Sequence, residues 1–174
     1  MEQLPDDGHR YDLIRGELQR TSPTGPRHAR LANRLARAID NFVAEHDLGD
    51  GFIAEQGFIL SRDPDSLVSP DYAFVSWARL PADGELIRCA PLAPDLVLEV
   101  LSPSDRPDPV DDKIAEYLRA GVRLVLVFDP DAGTVTACTP SAAPRVYSAA
   151  DTLSGGDVLP GFQVRIAELF KPRH

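Results

Sequence analysis

The chain has 174 residues, 43% of them hydrophobic and 26% charged, with 18 Lys and Arg against 27 Asp and Glu, a net charge of −9. That length suits one domain with a real core, spanning 1–174, and no apolar run approaches the ~20 residues a membrane helix needs. The acidic balance argues against broad, non-specific binding to nucleic acid, which rests on Lys and Arg neutralising phosphates; it is consistent with a cation-binding acidic pocket.

The stretch from Met1 to Arg10 is polar and lacks the apolar segment of a secretory leader. Tyr11–Ile14 and Glu17–Arg20 flank Arg15-Gly16 and predict a short hairpin. Ser22-Pro23-Thr24-Gly25-Pro26 breaks the chain and opens a helix from Arg27 to His46, on which Leu31, Leu35, Ile39 and Phe42 recur at helical spacing. Gly49 and Gly51 are expected to end it. Phe52–Leu60 and Asp71–Trp77 read as strands joined by the polar stretch Ser61–Ser69, and Leu80–Ala93 as a loop or irregular segment. Asp95–Leu101 is the clearest strand. Asp108, as an N-cap, and Pro109, in the first turn, open a second helix ending at Ala120-Gly121, with Val110, Ile114, Tyr117 and Leu118 on one face. Val122–Phe128 is a buried strand, Asp129–Gly133 a turn, and Thr134–Thr139 a further strand. Weaker strands near Arg145–Tyr147 and Phe162–Ile166 precede a short helix, Ala167–Phe170. The order fits an α/β or α+β fold with a central mixed sheet, and Asp95–Phe128 forms a parallel strand–helix–strand crossover. Cys89 and Cys138 lie far apart and read as free thiols of a reducing cytoplasm.

Two segments carry the chemistry: Ser69-Pro70-Asp71-Tyr72-Ala73-Phe74-Val75 and Pro94-Asp95-Leu96-Val97-Leu98-Glu99-Val100-Leu101. Each places a carboxylate in or at the head of an apolar run, where a bare charge is costly. The compensation is a protein cation, a hydrogen-bond network or a metal ion. Alternate strand residues share a face, so Asp71 and Glu99 converge if their strands are neighbours, and two such carboxylates suit a hard cation such as Mg²⁺ or Mn²⁺. The plainer alternative has Asp71 capping its strand and Glu99 paired with a buried Arg or Lys. Asp95 shares the face of Glu99 but stands about 13 Å away at ~3.3 Å per residue, and reads as a strand-start or capping residue.

Lys113 sits ~40° outside the apolar arc of the second helix at ~100° per residue. From that edge its ammonium can reach the strand ends and orient a water or stabilise a phosphate transition state; the alternative is a flanking lysine paired with Glu116 or Asp112.

Pro70-Asp71, then Glu99, then a lysine resembles the PD-(D/E)XK superfamily of restriction-endonuclease-like nucleases, and more closely its Uma-two branch. The resemblance also rests on Gly16-Glu17-Leu18, Ser22-Pro23 with His28, the run Pro94–Asp105, Lys113 with Tyr117-Leu118-Arg119-Ala120-Gly121-Val122, Asp129-Pro130, Leu159-Pro160-Gly161 and Glu168-Leu169-Phe170. It implies a mixed sheet flanked by helices, Asp71 and Glu99 as ligands of Mg²⁺ or Mn²⁺, and Lys113 as catalytic lysine. The usual lysine two residues after the acid is here Leu101, which is why Lys113 on the following helix takes that part. Leu124-Val125-Leu126 stands where relatives often carry Glu-Tyr-Trp, which leaves core packing as that strand's role. Glu17, as a third acid, and His28, as a phosphate contact, are secondary candidates, each with a structural alternative.

Arg27, Arg30, Arg34 and Arg37 fall within about 80° of the first long helix, at ~100° per residue. This stripe either tracks a phosphate backbone or is a solvated face. The expectation is a cytoplasmic, divalent-metal-dependent endonuclease acting on DNA, suited to a homodimer. The rival is a catalytically inactive module of the same fold that binds a protein or nucleic-acid partner.

Overall fold

The computed structural model describes residues 10–21, 25–53, 55–81, 88–103 and 105–171. In chain order the elements are β1 (Arg10–Ile14), β2 (Glu17–Thr21), α1 (Pro26–Glu45), β3 (Gly49–Ile53), β4 (Gly57–Ser61), β5 (Ser66–Val68), β6 (Tyr72–Ser76), β7 (Cys89–Ala90), β8 (Leu96–Val100), α2 (Pro107–Arg119), β9 (Leu124–Asp129), β10 (Thr134–Thr139), β11 (Ala142–Tyr147), β12 (Thr152–Ser154), β13 (Gln163–Arg165) and α3 (Ile166–Phe170).

A six-stranded sheet ordered β11-β10-β9-β8-β6-β3 forms the centre, and a five-stranded sheet ordered β2-β1-β5-β4-β7 accompanies it. The central sheet is mixed: β8 and β9 run parallel, joined through α2, while β6 pairs antiparallel with β8. Its inner strands are apolar on both faces, because both faces are covered. Leu96, Leu98 and Val100 of β8, with Leu124, Leu126 and Phe128 of β9, pack under Leu31, Leu35, Ile39 and Val43 of α1. Val97, Val125 and Val127 point the other way, towards Tyr117 of α2 and Ile14, Phe58 and Val68 of the smaller sheet. Leu124-Val125-Leu126 is therefore core on both sides.

Several boundaries differ from the sequence expectation. Phe52–Leu60 is not one strand: β3 belongs to the central sheet and β4 to the smaller one, so the chain changes sheets between them. The polar connection Ser61–Ser69 contains β5, whose Ser66 is fully buried. The second helix starts at Pro107, two residues before Pro109. Both prolines are accommodated in its first turn, where N–H groups have no intrahelical acceptor.

Gly49 and Gly51 do not stop α1; they are strand residues beneath it. At position 51 a side chain would fall inside van der Waals contact of the Asp40 carboxylate and the Tyr72 hydroxyl. Those two groups are hydrogen-bonded at 3.3 Å, tying α1 to the first residue of β6. Asp40 can turn out to solvent, but Tyr72 is 1% exposed and cannot. Gly51→Ala is expected to cost about 1–3 kcal/mol, the usual range for overpacking, read as a lower urea midpoint; an unchanged midpoint would show that β3 yields freely.

Candidate functional site

β6 and β8 are neighbours. Their register pairs Phe74 with Leu96, Ala73 with Val97 and Tyr72 with Leu98. One more step sets Asp71 opposite Glu99, and directly opposed residues point to the same face with Cβ atoms ~5 Å apart. Asp71 Oδ2 accepts the Val100 N–H at 2.9 Å, which fixes the carboxylate at the strand head.

Lys113 arrives from α2. Its Nζ lies 2.8 Å from Glu99 Oε1 and 2.7 Å from Asp12 Oδ2, with the side chain only 15% exposed. The lysine is thus paired with neither Glu116 nor Asp112. Tyr117, one turn further along α2, donates its hydroxyl to the same Oε1 of Glu99, and its ring centroid stands 5.9 Å from the Lys113 ammonium. Among the described residues, Glu99 Oε1 thus receives two donors while no hydrogen bond is seen to Oε2.

The electrostatics follow from this arrangement. Burial pushes the Glu99 carboxyl up; Lys113 opposes this, whereas Asp71 and Asp12 reinforce it, and the balance lies at about 7. Burial disfavours the Lys113 ammonium, but Glu99 and Asp12 more than offset it and hold the amine above the usual lysine range. Burial, then the charges of Glu99 and Asp12, raise the Tyr117 phenol well above its ordinary value, so it stays a donor.

Asp12 is the member that the sequence reading missed. It sits on β1 in the smaller sheet, 5% exposed, and its Oδ1 accepts the Ser69 N–H at 3.0 Å. The signal was there: Asp12 shares a strand face with the buried Ile14, the same carboxylate-among-apolar pattern that marked Glu99. Glu17 lies elsewhere, exposed next to the hairpin turn on the edge strand β2, across from Ile14. The β1 acid facing Lys113 is Asp12. The side chains of His28 and Arg27 lie outside the described residues.

Asp95 occupies the far end of β8. It is 1% exposed, its Oδ2 accepts the Ser76 N–H and hydroxyl at 2.9 Å each, and its Oδ1 lies 3.2 Å from Arg79 and 3.7 Å from Arg123. This is a capping role. The arginine stripe is divided. Arg30 and Arg37 are exposed, but Arg34 donates to the carbonyl oxygens of Leu169 and Lys171 at 2.6 and 2.7 Å, tying α1 to the end of α3. The stripe also belongs to the α1 layer, across the central sheet from the face that carries Glu99.

The donor set suits a hard divalent cation. Asp71 and Glu99 supply carboxylate oxygens from adjacent strands, and no hydrogen bond occupies Glu99 Oε2 among the described residues. No cluster of three or more His, Cys, Asp or Glu side chains with metal-holding geometry occurs among the described residues.

The fold matches a solved crystal structure described as a putative nuclease belonging to DUF820 from Anabaena variabilis, with a TM-score of 0.85, 22% sequence identity, and coverage of 96% of this chain and 93% of that one. The chain belongs to the Uma2 family, whose description is "putative restriction endonuclease" and whose family model matches residues 1–167. No curated protein matches it. No helix among the described residues is long and apolar enough to cross a membrane.

Proposed function

We propose that this protein is a divalent-metal-dependent endonuclease that hydrolyses phosphodiester bonds in DNA. The observation that carries the reading is the contact of Lys113 with Glu99 at 2.8 Å, beside an Asp71 that the strand register sets opposite Glu99. Family membership supports the same reading. Asp71 and Glu99 would hold Mg²⁺ or Mn²⁺. When bound, such an ion lowers the pKa of a coordinated water and neutralises charge developing on the phosphate. Lys113 stays cationic at neutral pH and supplies a fixed positive charge for the attacking water or the pentacovalent phosphate. Tyr117 and Lys113 together grip Oε1 of Glu99 and fix its carboxylate plane. Arg30 and Arg37, exposed on α1, offer phosphate contacts on the opposite side of the sheet. A homodimer would supply one such site per DNA strand, and free Cys89 and Cys138 suit a cytoplasmic location.

The direct test is cleavage of plasmid and linear DNA by purified protein with Mg²⁺, with Mn²⁺ and with excess EDTA. Cleavage should require metal and yield internal breaks; its absence with both metals would sink the reading. Metal binding should also compete with the Glu99 proton. With the carboxyl at about 7, the apparent Kd for Mn²⁺ should rise about tenfold for each pH unit below 7 and level off above about 8. A Kd that ignores pH across this range would remove Glu99 from the ligand set.

A further inference from the structure

We infer that Asp12 is a positioning residue for this hydrolysis, an assignment that rests on the nuclease reading above. Asp12 touches two parts of the site at once. Its Oδ2 holds the Lys113 ammonium at 2.7 Å, and its Oδ1 accepts the amide of Ser69 at 3.0 Å, two residues before Asp71. It does this from β1, in the sheet that carries neither Asp71 nor Glu99. Lys113 is long and flexible, and an ammonium bonded to Glu99 alone can swing about that single contact. The second carboxylate, 7% exposed, gives the nitrogen two fixed anchors and so one location. The Ser69 bond places the segment leading into β6 against the same carboxylate. Asp12 thereby sets the spacing between the lysine and the Asp71-bearing strand head without itself being a ligand or a proton carrier.

Asp12→Asn separates the two contacts. An asparagine offers one acceptor oxygen where the carboxylate offers two, so it can serve the Ser69 amide or the Lys113 ammonium but not both. Expected for this variant are a kcat on plasmid DNA lowered about 10- to 100-fold, as for other residues that orient first-contact groups, with KM for DNA and Kd for Mn²⁺ each within about threefold of wild type. The proton–nitrogen NMR signal of the Lys113 ammonium, kept sharp by its two fixed acceptors, should broaden or vanish. Asp12→Glu, which keeps both acceptors, should recover part of kcat. Asp12→Ser supplies the same comparison should Asp12→Asn not fold. A wild-type kcat with an intact ammonium signal overturns the assignment. So does a parallel loss of Mn²⁺ affinity, which would make Asp12 a ligand. If the wild-type protein cleaves no DNA, the nuclease reading fails by itself; the ammonium signal, which needs no turnover, still decides whether Asp12 holds Lys113.

Discussion

Glu99→Gln is expected to reduce metal-stimulated DNA cleavage by at least about 10³-fold while leaving the fold intact. Glutamine keeps the acceptor that Lys113 and Tyr117 engage and replaces the other oxygen with an amide nitrogen, which cannot bind a cation. Loss of a bound metal removes several kcal/mol of charge stabilisation in the transition state, and each 1.36 kcal/mol is a factor of ten. Asp71→Asn should act in the same direction. Stability supplies an independent readout. The metal-free folded protein holds the Glu99 proton up to about 7, against 4.5 for a free glutamate side chain. The folded state therefore binds more protons than the unfolded state between those values, and stability falls as pH rises through that window. Over the full window the loss is of order 3 kcal/mol at 1.36 kcal/mol per unit. Glutamine does not titrate, so thermal melts of Glu99→Gln should lack this decline between pH 5 and 7.5. A variant that cleaves DNA at wild-type rate would remove Glu99 from the chemistry. A variant that melts with the wild-type pH dependence would show that Glu99 is not the titrating group.

Lys113→Met is expected to affect both activity and stability. It removes the only cation seen in direct contact with Glu99 among the described residues and leaves Glu99 and Asp12 facing each other in a site where their side chains are 16% and 7% exposed. Breaking one side of such a buried pair leaves uncompensated charge and costs about 3 kcal/mol or more at pH 8. The sign with pH is informative. Glu99 can relieve the repulsion by taking up a proton, so the cost should shrink as pH falls towards 5. Adding Glu99→Gln should recover part of the stability, with a double-mutant coupling energy of about 1 kcal/mol or more. DNA cleavage should fall about 10²- to 10³-fold, the range seen when one preorganised transition-state donor is lost, and Glu99→Gln should not restore it. A variant as stable as wild type at pH 8 would mean that Lys113 does not compensate those carboxylates.

The parts of the fold that were legible in the sequence are those whose signal is local. Asp95–Leu101 and Val122–Phe128 read as strands because they are continuous apolar runs, and both are buried on two faces. Alternation put Asp71 and Glu99 each on a definite face of its own strand, and the β6–β8 register makes those strands neighbours and those faces the same one. What the sequence did not disclose depends on which sheet a segment joins. Within Phe52–Leu60 only Glu55-Gln56-Gly57 marks the change of sheet between β3 and β4. Gly49 and Gly51 resemble a helix stop, because the need for a bare backbone at position 51 comes from Asp40 and Tyr72, elements apart in sequence. Lys113 stood out through its place on the helical wheel, but its second partner did not, since Asp12 lies 101 residues earlier on another sheet. Glu17 drew notice through a motif, whereas the acid that reaches the lysine sits five residues before it on the facing strand of the hairpin.

The lysine's position on α2, and not on the strand two residues after Glu99, changes what assembly of the site requires. A strand-borne lysine arrives with its carboxylates as soon as one sheet forms. Here the central sheet alone carries only negative charge at this spot; the cation comes with the crossover helix, and its second anchor comes with the hairpin of the other sheet. A partly folded or newly made chain therefore holds an incomplete site. If the site hydrolyses phosphodiesters as proposed, that competence is a property of the finished protein, and intermediates that have the carboxylates but not the ammonium would lack it.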